Sequence, residues 1–362
     1  MRPPDTRPPR RPIRVMVVDD SESSRAAIAS ILRSDPGVEV LLSTGDAEEA
    51  LRRAFLERPD AICLDLEMPG MDGYTFMRLL MARQPTPVIM VSSNTRRQDV
   101  FKALELGAFD FISKPERGGD LTPIRGELLA KIATVRALRM ENLEAQAARG
   151  RQSAAAAPTP APAPLQLAVI GASTGGPSAV TRLLGLLPAG LPLAVAVVQH
   201  MPEKFTRTFA ERLDRTTGFH VREAEDGDTL SAGRVLIAPG GRHLRIVRQG
   251  PRGLGALRAN VVERQPDDPR YCPSVDLLFE SAADAWGDRV CGVVLTGMGN
   301  DGRAGVRAVK AAGGITIAES ETSAVVYGMP KEAVESGHVD EVLSLERIAE
   351  RLARFAARGG TT

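Results

Sequence analysis

Three short polar segments in the second half of the chain each follow an apolar run and carry one member of a hydrolytic set. These are Ser173 after residues 167–170, His200 after residues 193–198 and Asp301 after residues 290–295. In an open α/β sheet, ligands bind in the crevice beyond the carboxyl ends of the parallel strands, so these three residues would meet in one crevice. A histidine that takes the serine proton, oriented by a carboxylate, lets the serine attack an acyl carbon. The pattern predicts a serine hydrolase site.

The glycine-rich segment around the serine would also stabilise developing negative charge. Backbone N–H groups of residues 174–176 would precede a helix that we expect to begin near Pro177, which makes them a candidate oxyanion site. A phosphate-binding turn is the alternative, although the segment lacks the lysine of a P-loop and the spacing of GxGxxG. The order Ser, His, Asp differs from that of α/β-hydrolases, so the GxSxG match does not indicate a nucleophile elbow. His200 is alternatively an ordinary loop histidine, and Asp301 alternatively caps the helix that follows it.

Polar residues also follow apolar runs in the first half of the chain. Asp19 and Asp20 follow the first run, Asp65 the third, Ser92 the fourth and Lys114 the fifth. Their placement at strand ends brings them to one crevice, where a cluster of carboxylates is tolerated if Mg²⁺ is bound. With charge neutralised by Mg²⁺ and the ammonium group, one carboxylate would attack a phosphoryl donor, and the hydroxyl of Ser92 would sense the new phosphate. The alternative is a helix-capping aspartate pair and a surface lysine.

Two alternations of strand and helix position these residues. The predicted strands are 13–18, 38–42, 61–64, 87–91 and 109–112 in the first, and 167–170, 193–198, 234–237, 290–295 and 315–318 in the second. Such alternation predicts two doubly wound α/β domains: a flavodoxin-like domain with five strands, and a mostly parallel hydrolytic domain with an antiparallel edge from the hairpin-like segment 240–262. We expect a disordered leader at 1–12, domains at 13–135 and 165–355, and a helical stalk and Ala/Pro-rich linker at 136–164.

Composition narrows the class of protein. The 46 basic and 45 acidic residues nearly balance, so no overall field favours nucleic acid or an anionic membrane. No apolar run approaches the roughly 18 residues that span a bilayer, and the N-terminus does not resemble a secretory signal. The three cysteines are widely spaced, which suits a reducing compartment, and Cys63 and Cys291 would be small apolar fillers in buried strands. We expect a cytoplasmic monomer without direct membrane insertion.

The first half resembles the receiver domain of response regulators. The motifs VMVVDD, LDLEMPGMDG, MVSS and FISKP occur in the order and spacing of that family, over residues 13 to about 135. The resemblance implies Asp65 as phosphoacceptor, a Mg²⁺ site of Asp19, Asp20, Asp65 and the backbone carbonyl of Glu67, and a phosphate response through Lys114, Ser92 and Phe111. Phe111 is a mild departure, since tyrosine is commoner at the position of the mobile aromatic residue.

The second half resembles the catalytic domain of the CheB family of chemotaxis protein-glutamate methylesterases. The motifs IGASTGGP, VVQHMP, YCPSVDLLFESAA and VVLTGMGNDG carry the resemblance over residues 165 to about 350. It implies Ser173 as nucleophile, His200 as general base, Asp301 as third member, and backbone N–H groups of Thr174 and Met298 at the oxyanion site. Cys272 departs from the family, which usually has a basic residue there; affinity would be lower if that base helps to hold the acidic receptor surface or the domain interface.

The family resemblance implies a phosphorylation-activated enzyme of chemotaxis adaptation. It would hydrolyse the methyl esters of glutamates on the cytoplasmic helices of chemoreceptors, release methanol, and deamidate receptor glutamines. A chemotaxis histidine kinase would phosphorylate Asp65 with Mg²⁺ bound, whereas the esterase site would need no cofactor. One alternative is a non-catalytic, phosphorylation-dependent adaptor with a vestigial Ser/His/Asp set. A transcriptional regulator is disfavoured, because the second half has neither a helix-turn-helix pattern nor a basic stripe.

Overall fold

The computed structural model describes residues 11–93, 97–115, 120–138, 164–250 and 255–357. The chain divides into two compact units, and each is described by itself. Residues 1–10 of the expected leader and residues 139–163 of the expected stalk and linker lie outside the described residues. No described helix combines the length and apolar character needed to cross a membrane.

The first unit is built on a five-stranded parallel sheet with the strand order β2-β1-β3-β4-β5. The strands are β1 (Ile13–Val18), β2 (Val38–Thr44), β3 (Ala61–Leu64), β4 (Val88–Ser93) and β5 (Asp110–Lys114). All four residues of β3 and all but one of β1 are buried, as expected for strands covered on both faces. All five predicted strands are present, and the doubly wound, flavodoxin-like prediction is confirmed.

Helices follow the strands along this part of the chain. They are α1 (Glu22–Arg33), α2 (Ala47–Glu57), α3 (Gly73–Arg83), α4 (Arg97–Glu105) and α5 (Arg125–Thr134), the last flanked by 3₁₀ turns at Thr122–Ile124 and Val135–Ala137. The first three begin at residues whose side chains accept hydrogen bonds from the first turn, namely Ser21, Asp46 and Asp72. Each of these caps fixes the point at which the chain leaves the strand-end loop and enters the helix.

The second unit has a seven-stranded parallel sheet and a separate antiparallel sheet. The parallel order is β15-β14-β13-β6-β7-β10-β8, and the antiparallel order is β11-β12-β9. In chain order the strands are β6 (Gln166–Ala172), β7 (Leu193–Gln199), β8 (His220–Glu223), β9 (Thr229–Leu230), β10 (Arg234–Ile237), β11 (Arg242–Gln249), β12 (Ala256–Glu263), β13 (Val290–Val294), β14 (Ile315–Glu319) and β15 (Glu341–Leu343). The mostly parallel prediction is confirmed, and the predicted hairpin pairs with β9 to form a sheet of its own.

Helices in the second half of the chain cover both of these sheets. They are α6 (Gly176–Leu186), α7 (Glu203–Thr216), α8 (Val275–Trp286), α9 (Arg303–Ala311), α10 (Met329–Glu335) and α11 (Leu345–Ala357), with a 3₁₀ turn at Gly287–Arg289. Leu244 and Ile246 of β11 lie on the buried face of the antiparallel sheet, in one hydrophobic core with Leu278 and Phe279 of α8. The antiparallel sheet therefore packs against α8 through its apolar face.

Helices α8 and α9 approach closely because glycine replaces a side chain between them. A Cβ atom at Gly305 of α9 would lie 2.6 Å from Cβ of Phe279, which is fully buried in α8. A Cβ atom at Gly292 of β13 would likewise meet the Phe279 ring, at 3.0 Å. The close approach matters for the site, because the polar residues described below lie at the N-terminal ends of these two helices.

Gly305→Ala should destabilise the second unit, although alanine is the better helix former. The added methyl group overpacks the contact with Phe279, so the free energy of unfolding should fall by about 1–3 kcal/mol. Gly185→Ala is the matched control: Gly185 lies in α6, and a Cβ atom there would meet nothing within 4 Å, so stability should rise by about 0.5 kcal/mol. Trp286 is the only tryptophan, so its fluorescence during denaturant unfolding reports on this unit. Equal effects of the two substitutions would contradict the packing argument.

Candidate active site and candidate phosphoacceptor site

The predicted hydrolytic residues follow three adjacent strands of the parallel sheet. Ser173 follows β6 directly, His200 follows β7 directly, and Asp301 lies in the loop after β13. Strand β6 lies between β13 and β7 and runs parallel to both. Because the three strands point the same way, their carboxyl ends open at one edge of the sheet, where the sequence pattern placed the site.

His200 and Asp301 form a hydrogen-bonded pair. The Nε2 atom of His200 lies 2.8 Å from Oδ2 of Asp301. The same carboxylate accepts hydrogen bonds from the Ser274 hydroxyl (3.0 Å) and from the backbone N–H groups of Val275 (2.8 Å) and Asp276 (2.9 Å). Burial raises the pKa of Asp301, but the His200 hydrogen bond and charge and the two N–H groups outweigh burial and hold the pKa below its usual value. Asp301 is therefore a fixed, ionised partner for the imidazole.

Two aspartates cap each other's helices. The carboxylate of Asp301, which precedes α9, lies at the N-terminus of α8. Oδ1 of Asp276, in the first turn of α8, accepts from the N–H groups of Gly302 (2.9 Å) and Gly305 (2.7 Å) at the start of α9. The alternative that Asp301 caps the helix following it is therefore wrong, since Asp276 takes that place. Burial, with a smaller contribution from Asp301, raises the pKa of Asp276 to about 6 despite the two N–H groups.

The backbone of Ser173 is held from both sides while its side chain stays partly exposed. Its N–H donates to the carbonyl of Thr296 (3.0 Å), and its carbonyl accepts from Nε2 of Gln199 (2.8 Å). Nδ1 of His200 is buried and has no hydrogen-bond partner among the described residues. One imidazole nitrogen is thus engaged by Asp301 and the other is available to a proton donor. The hydrogen bond between a catalytic serine and its base often becomes short only when substrate binds.

Two backbone N–H groups beside Ser173 remain available. Within the described part of the chain, those of Thr174 and Met298 donate no hydrogen bond. Gly297 brings the N–H group of Met298 close to Ser173, because a Cβ atom at Gly297 would lie only 2.7 Å from Cβ of Ser173. A glycine there lets the loop after β13 approach the serine backbone, as an oxyanion site requires.

A buried carboxylate that the sequence analysis did not single out supports this loop. Oε2 of Glu319 accepts from the N–H of Thr296 (2.8 Å), and Oε1 accepts from the hydroxyl of Ser323 (2.7 Å). The Thr296 hydroxyl in turn donates to the carbonyl of Thr174 (3.0 Å). Glu319 is the last residue of β14, so the strand-end rule that found the other residues would also have found it. Its burial raises its pKa to about 7.

Glu319→Gln should change how stability depends on pH. The pKa of Glu319 in the folded state exceeds its ordinary value of 4.5, so the stability it contributes is present below about pH 4.5 and is lost as the pH rises through about 7. The glutamine keeps an acceptor for Thr296 and a donor for Ser323 but does not ionise. The variant should therefore gain about 2 kcal/mol relative to the wild type between pH 5 and pH 8, measured by Trp286 fluorescence in denaturant.

Glu211→Gln, at an exposed position of α7, is the control for the loss of one negative charge. Its stability difference from the wild type should stay constant over the same pH range. A constant difference for Glu319→Gln as well would show that Glu319 is ionised with an ordinary affinity for protons.

The acidic residues of the first unit also lie together. Carboxylate oxygens of Asp19, Asp20 and Asp65 lie within 4.8 Å of one another, and Nζ of Lys114 lies 2.5 Å from Asp65 and 2.8 Å from Asp19. Burial lowers the pKa of Lys114, but the charges of Asp65 and Asp19 outweigh it and raise the pKa, so the ammonium form persists. Three convergent carboxylates, one of them exposed to solvent, fit the ligand preference of Mg²⁺.

The alternative interpretation of this cluster does not hold. Ser21, rather than either aspartate, is the N-cap of α1, and Asp19 accepts from the Ser21 N–H (3.0 Å) and the Ser24 hydroxyl (2.8 Å). Lys114 is a buried residue, whereas the alternative required a surface lysine. The cluster is therefore a built acidic pocket.

The remaining predicted phosphate-response residues lie in β4 and in β5, the strand that ends at Lys114. Ser92 and Phe111 are both buried, near the end of β4 and within β5 respectively. Nζ of Lys131 donates a hydrogen bond to the Phe111 carbonyl (2.6 Å) and lies 5.5 Å from the centroid of the Phe111 ring. The N–H of Glu67 lies 3.4 Å from Oδ1 of Asp65, so its peptide borders the carboxylate.

Comparison with known proteins decides the family. Residues 168–352 match the model of the CheB methylesterase family, and residues 15–124 match that of the response regulator receiver domain. The chain is 55% identical over 349 residues to protein-glutamate methylesterase/protein-glutamine glutaminase 6 of Anaeromyxobacter dehalogenans (strain 2CP-C), covering 96% of this chain and 97% of that one. The chain belongs to the CheB methylesterase family.

Other members of the CheB family match over similar lengths. Protein-glutamate methylesterase/protein-glutamine glutaminase 3 of Geobacter sulfurreducens (strain ATCC 51573 / DSM 12127 / PCA) is 47% identical over 364 residues, with 94% of this chain and 97% of that one covered. Among solved structures, the Thermotoga maritima CheB methylesterase catalytic domain is 39% identical, with a TM-score of 0.49, and the match covers 52% of this chain and 98% of that chain.

The cysteines of this CheB family member differ in their surroundings. Cys63 and Cys291 are fully buried in strands, and burial raises the pKa of each thiol to about 12, which fits the predicted role of apolar fillers. Cys272 is partly exposed, and burial raises its pKa although Arg264 opposes the shift. The weaker affinity for an acidic receptor surface expected from Cys272 stays a prediction.

Proposed function

We propose that this chain hydrolyses the γ-methyl esters of methylated glutamates on the cytoplasmic helices of chemoreceptors, yielding glutamate and methanol. The observation that carries the proposal is the His200–Asp301 hydrogen bond of 2.8 Å at the same sheet edge as Ser173. The glutaminase name of the family relatives supports a second reaction, deamidation of receptor glutamines, because an amide and an ester pass through the same acyl-enzyme. The reactions serve chemotaxis adaptation in the cytoplasm.

Each step of the reaction has a residue to perform it. Oγ of Ser173 attacks the ester carbonyl while Nδ1 of His200 takes its proton, and the N–H groups of Thr174 and Met298 receive the oxyanion. The C–O bond then breaks, and His200 returns the proton to the departing methoxide, which leaves as methanol. A water molecule, deprotonated by His200, attacks the acyl-enzyme; the bond from the acyl carbon to Oγ of Ser173 breaks, His200 returns the proton to Oγ, and glutamate leaves. Asp301 stays ionised throughout and holds the imidazole in place.

The acidic pocket would regulate this chemistry. Asp65 would accept a phosphoryl group from a chemotaxis histidine kinase, and Asp19, Asp20, Asp65 and the carbonyl of Glu67 would hold Mg²⁺. When bound, Mg²⁺ neutralises the negative charge of the phosphoryl oxygens. Lys114 contacts the phosphate, and Ser92 and Phe111 respond to it. We place the receiver domain at residues 13–135 and the methylesterase domain at residues 165–355.

Ser173→Ala should abolish hydrolysis without unfolding the protein, because no acyl-enzyme can form. The rate of methanol release from methylated receptor membranes should fall by at least about 10³-fold. His200→Gln should be comparably severe, and Asp301→Asn less so, because Asp301 orients the base and transfers no proton. Ser178→Ala, in the first turn of α6, is the matched control and should keep the wild-type rate. Activity of Ser173→Ala near the wild-type rate would refute the assigned nucleophile, and a wild type releasing no methanol would favour the adaptor alternative.

Asp65→Asn should uncouple the enzyme from phosphorylation. A small phosphodonor with Mg²⁺ should accelerate methanol release by the wild type and leave the basal rate of the variant unchanged, since the amide accepts no phosphoryl group. Asp120→Asn, an exposed substitution in the same unit, should respond like the wild type. Incorporation of labelled phosphate into Asp65→Asn at the wild-type level would place the phosphoacceptor elsewhere.

A further inference from the structure

An aromatic ring lies flat against the imidazole of His200. The ring centroids of His200 and Tyr271 are 4.6 Å apart and the ring planes differ by only 3°. Tyr271 follows no strand of the parallel sheet; it belongs to the segment that leads from β12 into α8. The mechanism above assigns Tyr271 no step.

The Tyr271 ring is itself held in place. A Cβ atom at Gly299 would lie 2.3 Å from the Tyr271 hydroxyl oxygen, so the phenol lies directly against the backbone of the loop after β13. The guanidinium carbon of Arg270 lies 5.9 Å from the ring centroid. The ring thus contacts both the imidazole and the loop that contains Met298 and Asp301.

A stacked ring supplies a constraint that the Asp301 hydrogen bond lacks. A single hydrogen bond fixes the position of Nε2 but leaves the imidazole free to tilt about the line to Oδ2. A parallel ring at contact distance fixes the plane and hence the direction in which Nδ1 points. The negative face of the phenol ring also attracts the imidazolium that forms when His200 takes the serine proton. Both effects favour the orientation of the ring in which Nδ1 can take the serine proton.

We propose that Tyr271 is a positioning residue for the general base, acting through the face of His200. The proposal rests on the proposed function, because it assumes that His200 transfers the Ser173 proton. A tyrosine that bound substrate would govern the Michaelis constant, and a merely structural tyrosine would govern stability alone. Loss of a positioning residue lowers kcat. The size of kcat should therefore depend on the stacked ring of Tyr271 and not on its hydroxyl group.

The kinetic test compares Tyr271→Leu with Tyr271→Phe in the full chain, with methylated receptor membranes as substrate. Tyr271→Leu should lower kcat by about 10- to 100-fold with the Michaelis constant within about 3-fold, because the base is misplaced while the binding surface is retained. Tyr271→Phe keeps the stack and should restore kcat to within about 3-fold of the wild type. Phe219→Leu is the control for loss of a buried aromatic ring: it precedes β8, at the sheet edge opposite the site, and should leave kcat unchanged.

The second readout is the imidazole itself, through ¹⁵N chemical shifts of histidine-labelled protein, with His200→Gln to assign the signal. The wild type and Tyr271→Phe should show one tautomer, with the proton on Nε2, whereas Tyr271→Leu should show averaging of the two nitrogens. An unchanged kcat, a rise confined to the Michaelis constant, or a loss of kcat with an unaltered imidazole signal would each overturn the proposal. Failure of the wild type to release methanol would refute the proposed function, and the ¹⁵N signals would still show whether Tyr271 orients the ring.

Discussion

The candidate active site depends on one carboxylate with no spare capacity. Asp301 accepts four hydrogen bonds, from His200, the Ser274 hydroxyl and two backbone N–H groups at the start of α8. A carboxylate has about four lone-pair sites, so every one is occupied. The same side chain therefore orients the proposed base and fixes the N-terminus of a helix, and neither function can be removed without disturbing the other.

This arrangement requires two helices to begin within hydrogen-bonding reach of one another. Gly305 permits it, because its missing side chain lets α9 lie against Phe279 of α8. Asp276 completes the arrangement: its carboxylate accepts hydrogen bonds at the N-terminus of α9, as the carboxylate of Asp301 does at the N-terminus of α8. Burial, with a smaller contribution from the charge of Asp301, raises the pKa of Asp276, whereas His200 and the two backbone N–H groups outweigh burial and keep the pKa of Asp301 below its usual value.

The strands and their carboxyl ends were predictable from the sequence because apolar runs and the residues after them obey a local rule. Ser173, His200 and Asp65 follow that rule, and Glu319 follows it too, although it was overlooked. Strands β8, β9 and β15 were not predicted, because they are short and partly polar and therefore contain no apolar run. The stacking of Tyr271 on His200, and the choice of Nε2 for Asp301, depend on the long-range path of the segment before α8. Periodicity carries no information about such a path.

Two buried aspartates in this chain have been given different chemistry by their partners. Asp301 is saturated by donors, so it can neither attack an electrophile nor ligate a cation. Asp65 accepts from the Leu66 N–H (2.7 Å), from Lys114 (2.5 Å) and only distantly from Glu67, and it lies beside two further carboxylates. It therefore keeps lone-pair capacity in a pocket whose negative charge favours a cation. The free lone-pair capacity of Asp65 fits the proposed nucleophile and metal ligand, and the saturation of Asp301 fits the proposed orienting group.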